Sequence, residues 1–161
     1  EDPIKTGEED MCLLAVLNTL LKTVRELSVV RRSDLTNELD EIWGHVYTHL
    51  TYPHAQVRLL SSQLLGLLFS AWEPAEIADQ QSLGHEEDCD PEENKKPSYM
   101  LQNTAQLVQN YTKALCHQLQ TPNLDDILGT QVVKNLLYLA RLAEALGRLD
   151  LLVWIAKKVM K

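Results

Sequence analysis

Apolar residues recur along most of this chain at steps of three and four, the spacing that places side chains on one face of an α-helix. The clearest example is the stripe formed by Val57, Leu60, Leu64, Leu67 and Leu68. No segment alternates apolar and polar residues between hairpin turns, as half-buried β-strands do. The pattern therefore predicts an all-α fold.

Prolines and a glycine divide this pattern into six predicted helices. Pro53 and Pro122 each end a helix, because the residue before a proline is displaced from the helical region of backbone space. Gly147 is a suitable stop for the fifth helix, since glycine readily adopts the left-handed conformation at a helix end. The predicted ranges are 11–30, 33 or 34 to 50, 54 or 55 to 71, 98–120, 124 or 129 to 146, and 149–160.

The first two helices have predicted core-facing stripes. The first helix is predicted to begin at Met11, with the acidic residues 8–10 beside its positive end. Its stripe consists of Cys12, Ala15, Val16, Leu20, Val24 and Leu27. In the second helix, Trp43 shares a stripe with Ile42 and Val46, which predicts that its ring packs in the core.

The segment 73–97 differs from the rest of the chain in its charge, with nine acidic residues against two lysines. Such a composition cannot bury enough apolar surface to offset the entropy of ordering the chain. We therefore predict a disordered acidic insertion at 73–97 between two helical parts, 1–72 and 98–161. The whole chain has a net charge of −8, which argues against a uniformly basic surface, yet the last part alone is positive.

The spacing of the proline turns suggests a repeat. Pro53 and Pro122 are 69 residues apart, and removing the 25-residue insertion leaves 44. HEAT and armadillo repeats recur at about 40 to 47 residues, so the units 35–71 and 99–146 match that period. These features predict a HEAT-like α-solenoid segment, although a plain six-helix bundle would produce similar stripes.

Length and composition bound the class of protein. The 161 residues, 45% of them hydrophobic, are sufficient for one domain-sized core. Three widely spaced cysteines without a CxxC motif argue against a disulfide framework and a zinc ribbon. The apolar runs are too short to span a membrane. Because the sequence opens with Glu1 rather than methionine, we expect a piece of a longer protein.

Motifs that carry catalysis are missing from the sequence, which contains no GxSxG, GxxxxGKS/T, HExxH or GxGxxG. We therefore expect neither an enzyme nor a bound cofactor. His45 and His49 lie four residues apart on one helical face, with His54 just beyond the turn. A third fixed ligand is not evident, so structural roles are favoured over a metal site.

Basic and aromatic residues are interleaved at i, i+4 and i+7 in both of the last two predicted helices. The six candidate contact residues are Lys134, Tyr138, Arg141, Trp154, Lys158 and Lys161. Cations bind phosphate and aromatic rings stack on unpaired bases, so this spacing predicts contact with RNA or another partner. The alternative is that Tyr138 and Trp154 pack against neighbouring helices.

Four further residues are assigned to the turns and to contacts between repeats. Pro53, His54 and Pro122 lie at the predicted turns, and Arg58 follows the first of them. We expect Arg58 to form an ion pair with an acidic residue of the neighbouring repeat.

Two tracts of the sequence resemble a known family. HLTYPHAQVRLLSSQLLGLLF (49–69) and CHQLQTPNLDDILGTQVVKNLLYLARL (116–142) are similar to the C-terminal region of component twenty of the small-subunit processome, the down-regulated-in-metastasis family. The resemblance covers 35–72 and 99–146 and departs from the family at Gln56, where its members carry a tryptophan. It implies HEAT repeats and an architectural role in pre-rRNA processing in the nucleolus. The implied partners are pre-ribosomal proteins, pre-rRNA and small nucleolar RNA.

Two other functions are compatible with the same helical pattern. A HEAT interaction module of another large assembly, such as an adaptor or transport factor, would bind peptides or partner helices on a concave face. A compact helical enzyme or ligand carrier would instead need a closed pocket lined by converging polar groups.

Overall fold

A computed structural model describes residues 3–30, 40–70 and 104–161. These ranges contain six α-helices and no strand, which confirms the all-α prediction for the part of the chain described. The helices are α1 (Pro3–Val30), α2 (Asp40–His49), α3 (Ala55–Ser70), α4 (Thr104–Leu119), α5 (Asp126–Ala145) and α6 (Leu149–Val159). The predicted insertion at 73–97 and the predicted helix starts near 33 and 98 lie outside the described residues.

The predicted stops between helices are confirmed. Pro53 lies in the connection between α2 and α3, and Pro122 lies in the connection between α4 and α5. After α5, Gly147 has a φ of +65°, and its N–H donates to the carbonyl oxygen of Glu144 (2.9 Å). The N–H of Arg148 donates to the carbonyl oxygen of Ala143 (2.9 Å), which completes a Schellman motif.

The prediction for α1 is wrong in its start and in part of its buried face. The helix begins at Pro3 rather than Met11, because a proline suits the first turn and the polar residues that follow continue the helix. Over residues 6–26 the buried side chains are Leu17, Leu21 and Val24, so that the predicted stripe is confirmed at Val24. Leu20 is half-buried, whereas Cys12, Ala15 and Val16 are exposed, and the side chain of Leu27 lies outside those described. In a leucine-rich helix two stripes compete, and contact with α3 selects the one that carries more leucines.

The core is one cluster of buried side chains to which all six helices contribute. α3 lies against α1, α2 and α5, while α6 lies against α4 and α5. α3 buries Val57, Leu60, Leu64, Leu65, Leu68 and Phe69, which includes most of the predicted stripe. The stripe predicted for α3 is thereby confirmed, with Leu67 half-buried beside it.

Aromatic rings connect four of the helices. The buried Tyr111 of α4 meets Tyr47 of α2 edge-to-face, with ring centroids 5.5 Å apart. Phe69 of α3 lies 5.9 Å from Tyr111 and 6.4 Å from Tyr138 of α5, measured between centroids. Edge-to-face pairs contribute about 0.5 to 1.5 kcal/mol beyond their buried area, so these rings hold α2, α3 and α4 together.

A polar network crosses the same core. Gln118 of α4 donates from Nε2 to the carbonyl oxygen of Leu50 (2.7 Å), and its Oε1 accepts from the hydroxyl of Ser62 (3.4 Å). Asn135 of α5 donates from Nδ2 to the carbonyl oxygen (2.9 Å) and the hydroxyl (3.1 Å) of Ser62. Gln131 in turn donates to Asn135 Oδ1 (3.0 Å). Because unpaired buried polar groups are costly, this network favours one register of α3 against α4 and α5.

Gly66 allows α5 to approach α3 at the polar network. A Cβ atom added at Gly66 would collide with the side-chain nitrogen of Gln131 and lie 2.9 Å from Asn135 Oδ1. The absence of a side chain at this position of α3 therefore leaves the space that the two amides occupy.

Candidate interaction surface

The turn between α2 and α3 is held by its own side chains. Arg58 donates from Nη1 to the carbonyl oxygens of Tyr52 (2.8 Å) and Pro53 (2.6 Å). His54 Nδ1 accepts a hydrogen bond from the backbone N–H of Gln56 (3.2 Å) at the start of α3. The Arg58 guanidinium thus binds the carbonyl groups of the turn, and the predicted ion pair with a neighbouring repeat stays a prediction.

A hydrogen bond connects this turn to α1. The hydroxyl of Tyr52 donates to Asp10 Oδ1 across 2.9 Å. That hydrogen bond is the main reason that the pKa of Tyr52 lies above its ordinary value, with burial and the negative charges of Asp10 and Glu9 adding to it. The contact was not foreseen, because the two residues are 42 positions apart and neither belongs to an apolar stripe.

The three histidines near this turn make local contacts. His49 Nδ1 lies 2.6 Å from the carbonyl oxygen of His45, to which it donates when Nδ1 is protonated. His54 Nδ1 is occupied by the Gln56 amide. Within the described ranges, no three side chains of histidine, cysteine, aspartate or glutamate are grouped so that they could hold a metal ion. The same part of the chain includes no helix that is long and apolar enough to cross a membrane.

The structure separates the candidate contact residues of α5 by exposure. Lys134 and Arg141 are exposed to solvent. Tyr138 between them is half-buried, with its ring against Phe69 of α3. The two cations can therefore meet a partner, while the ring already has a packing neighbour.

The candidate residues of α6 show the same division. Trp154 is half-buried against the core, and Lys158 Nζ lies 5.6 Å from the centroid of its ring. Lys158 also lies close enough to Cys116 of α4 to oppose, by its charge, the effect of burial that raises the pKa of that thiol. Lys158 and Lys161 are exposed. Tyr138 thus borders α3 and Lys158 borders α4, and the role of the six residues as a contact site stays a prediction.

A second surface of α6 was not identified from the sequence. Leu149, Val153 and Met160 expose 69%, 51% and 79% of their surface, and Ala156 between them is exposed as well. We call Leu149, Val153, Ala156 and Met160 the outer seam. The residues that α6 buries, Leu151 and Ile155, lie on a different face of the helix. The spacing of the outer seam was the signal that could have revealed it.

α5 also presents apolar residues to solvent. Val133 and Leu137 are exposed, whereas Val132 and Leu136 beside them are buried. Near the start of α5 there is a surface depression, lined by Leu124, Asp125, Asp126, Gly129, Thr130, Val133 and Lys134. It is open to solvent, so it does not have the closed form that a ligand carrier needs.

The chain matches a known protein family. A family model described as "Small subunit processome component 20 homolog, C-terminal" matches residues 3–161. The match extends over both helical parts and over the acidic segment between them.

Proposed function

Because the chain belongs to the family of small subunit processome component 20 homologs, matched by the C-terminal model over residues 3–161, we propose that it is a structural segment of the small-subunit processome. In this proposal it acts in ribosome biogenesis in the nucleolus, where it supports pre-rRNA processing by holding other components of the particle in place. The family match carries the proposal, since it includes almost the whole chain.

The helix contacts support a HEAT-type solenoid as the form of this scaffold. α1 packs on α3 and α3 packs on α5, while α4 packs on α6. Gln118 at the end of α4 donates to the carbonyl oxygen of Leu50, just after α2, which places the ends of these two helices side by side. A stack of helix pairs in two layers would produce such contacts. Its elongated form would leave long surfaces for partners.

We also propose that the segment performs no catalysis. Three of its buried polar side chains, Gln118, Ser62 and Asn135, bind one another or the backbone. The histidines His49 and His54 likewise make contacts with neighbouring backbone groups. These contacts supply structural roles for the side chains from which acid–base chemistry would be built.

RNA contact is a second candidate function, favoured by the exposed cations Lys134, Arg141, Lys158 and Lys161. Because both aromatic rings are half-buried, this binding would depend on phosphate contacts and would weaken as salt is added. Gel-shift titrations at two salt concentrations test it with a variant that carries Lys134→Glu, Arg141→Glu and Lys158→Glu. The variant is expected to bind RNA more weakly and with a flatter salt dependence than wild type. Identical curves for the two proteins would contradict RNA contact and leave protein contacts as the only proposed role.

The scaffold proposal is tested in cells whose own copy of the protein lacks residues 3–161. We expect the truncated protein to separate from pre-ribosomal particles on a sucrose gradient and unprocessed pre-rRNA to accumulate. A matched control carries Gln106→Ala, an exposed change on α4, and should behave as wild type. Normal particle association and normal processing after the deletion would contradict the proposal.

A further inference from the structure

α6 has a wide apolar face, and the structure covers only part of it. Its sequence, LDLLVWIAKKV, includes only three charged residues, Asp150, Lys157 and Lys158. The apolar face of a helix normally packs against a neighbouring element. Leu151 and Ile155 meet α4 and α5, whereas the outer seam has no neighbour among the described residues. A second contact would complete the burial of this helix.

The spacing of the outer seam identifies the kind of neighbour that fits it. Leu149, Val153, Ala156 and Met160 follow one another at steps of four, three and four, which is the spacing of the a and d positions in a coiled coil. The seam extends for about 16 Å, given a rise of about 1.5 Å per residue. The small Ala156 at its centre lets another backbone come close. These features match a second helix better than a flat surface.

Charge defines the partner further. Lys157 lies beside the seam, at the position that follows Ala156, and Lys161 follows Met160; both are exposed. The acidic residue of α6, Asp150, is already held by Arg148 through two hydrogen bonds of 2.9 and 2.8 Å. The C-terminal half of the seam is therefore bordered by positive charge.

We propose that the outer seam docks an amphipathic α-helix of a partner protein, one with aliphatic residues at heptad spacing and glutamate or aspartate beside them. The aliphatic residues would cover Leu149, Val153 and Met160, and the carboxylates would meet Lys157 and Lys161. An RNA partner would satisfy the lysines but would leave the apolar side chains uncovered. This proposal rests on the proposed function, because it names the chemistry of one protein contact that a scaffold would make.

The test uses the whole 161-residue chain and three synthetic peptides, each long enough for three helical turns. One carries heptad leucines flanked by glutamate, the second has lysine in place of glutamate, and the third is a scrambled form of the first. Fluorescence anisotropy should give a dissociation constant of about tens of micromolar for the acidic peptide, since a short single-helix contact buries little surface. Binding of the lysine peptide should be at least about tenfold weaker, because of charge repulsion, and the scrambled peptide should not bind.

Matched variants locate the binding on α6. Val153→Glu should weaken binding of the acidic peptide at least about tenfold. It should not lower the melting temperature of the chain, because the side chain of Val153 is half exposed. Val16→Glu on α1 is the control, since Val16 and Val153 both expose 51% of their surface. Replacing Lys157 and Lys161 together by glutamate should reverse the preference toward the lysine peptide. A purely structural role for these lysines would not produce that reversal.

Four results would overturn the proposal. They are equal binding of the acidic and lysine peptides, equal effects of the two valine variants, displacement of the peptide by single-stranded RNA, and self-association of the chain that Val153→Glu abolishes. The outcome is independent of the processome experiment. If the chain binds the acidic peptide but deletion of residues 3–161 in cells leaves the particles intact, the proposed function alone is contradicted. If the chain does not bind the acidic peptide but the deletion disrupts the particles, the docking proposal alone is contradicted.

Discussion

α3 and α6 are both rich in leucine, yet they differ in how much of that apolar surface is covered. α3 buries nine of its 16 residues, whereas α6 buries two of its 11. The difference follows from their neighbours within the described ranges, since α3 lies against α1, α2 and α5, whereas the main contacts of α6 are with α4 and α5. Apolar content alone therefore does not determine burial. Where it exceeds what the fold covers, it marks a surface for a further contact.

The two helices also differ in how specifically they are fitted. α3 contributes Ser62 to the polar network and Gly66 to the close approach of α5. These features tie its register to two neighbours, because a shift of the helix would leave buried amides unpaired. The outer seam of α6 consists of aliphatic side chains alone, which adapt to a partner more easily.

The largest expected effect is a difference in the free energy of unfolding between two leucine-to-alanine variants, one in α3 and one in α6. Leu64→Ala in α3 should lower the free energy of unfolding by about 2 to 5 kcal/mol, because it opens a cavity at a fully buried position. Leu149→Ala in α6 should change it by less than about 0.5 kcal/mol, since that side chain is already exposed. Urea denaturation followed by circular dichroism measures both. Equal losses would remove the contrast between α3 and α6.

A smaller effect is expected for the polar network. Gln118→Met keeps the volume of the side chain but removes the donor to Leu50 and the acceptor of the Ser62 hydroxyl. An unpaired buried group costs about 1 to 3 kcal/mol, and the unfolding midpoint should fall accordingly. Gln106→Met on the exposed side of α4 is the matched control and should have little effect. A Gln118→Met variant as stable as wild type would show that the network does not contribute to stability.

Two of the helix glycines, Gly66 and Gly44, sharpen the comparison further. Gly66→Ala in α3 should destabilise by about 1 to 2 kcal/mol, because the added methyl meets the amides of Gln131 and Asn135 and overpacks the site. Gly44→Ala in α2 meets nothing within 4 Å and should stabilise by up to about 1 kcal/mol through helix propensity alone. Thermal melts of the two variants should thus shift in opposite directions. Shifts in the same direction would contradict the close approach at Gly66.

The smallest expected effect concerns pH and the start of α6. The hydrogen bond from Arg148, together with its charge, lowers the pKa of Asp150 from 3.8 to about 2. Because the folded chain holds this carboxylate charged more tightly than the unfolded chain, the stabilisation is present above pH 4 and is lost as pH falls toward 2. The difference in urea midpoint between wild type and Asp150→Asn should therefore shrink between pH 6 and pH 2.

Two comparisons support the interpretation of that pH experiment. Glu144→Gln at an exposed position of α5 serves as the control for removing one negative charge. A difference between wild type and Asp150→Asn that stays constant over the same pH range would show that the contact with Arg148 does not act through the charge of Asp150.

The elements that the sequence predicted well have an explicit local signal. Pro53 ends a helix because its ring restricts the backbone, and Gly147 ends one because glycine readily adopts a positive φ. The bounds of α3 and the end of α5 were therefore predicted within a residue or two. The start of α1 was missed, because the residues before Met11 are polar and show no stripe. Its buried face was predicted only in part, because contact with α3, rather than spacing, decides between two leucine-rich faces.

The interaction surfaces were harder to predict for a related reason. Gln118 and Asn135 look like surface residues in a sequence, and only the approach of three helices turns them into buried partners. Lys134 and Arg141 are exposed as the predicted contact surface requires, but the half-burial of Tyr138 depends on Phe69 of a distant helix. Which residues remain exposed depends on the tertiary contacts, which spacing along the chain does not specify.

Hydrogen exchange measured by mass spectrometry tests the contrast between α3 and α6 most directly. Amides of α3 should exchange only through global unfolding, whereas amides of α6 should exchange through local opening and therefore much faster. Addition of the acidic heptad peptide should slow exchange in α6 and leave α1 unchanged. Exchange in α6 that is as slow as in α3 before any peptide is added would contradict the account.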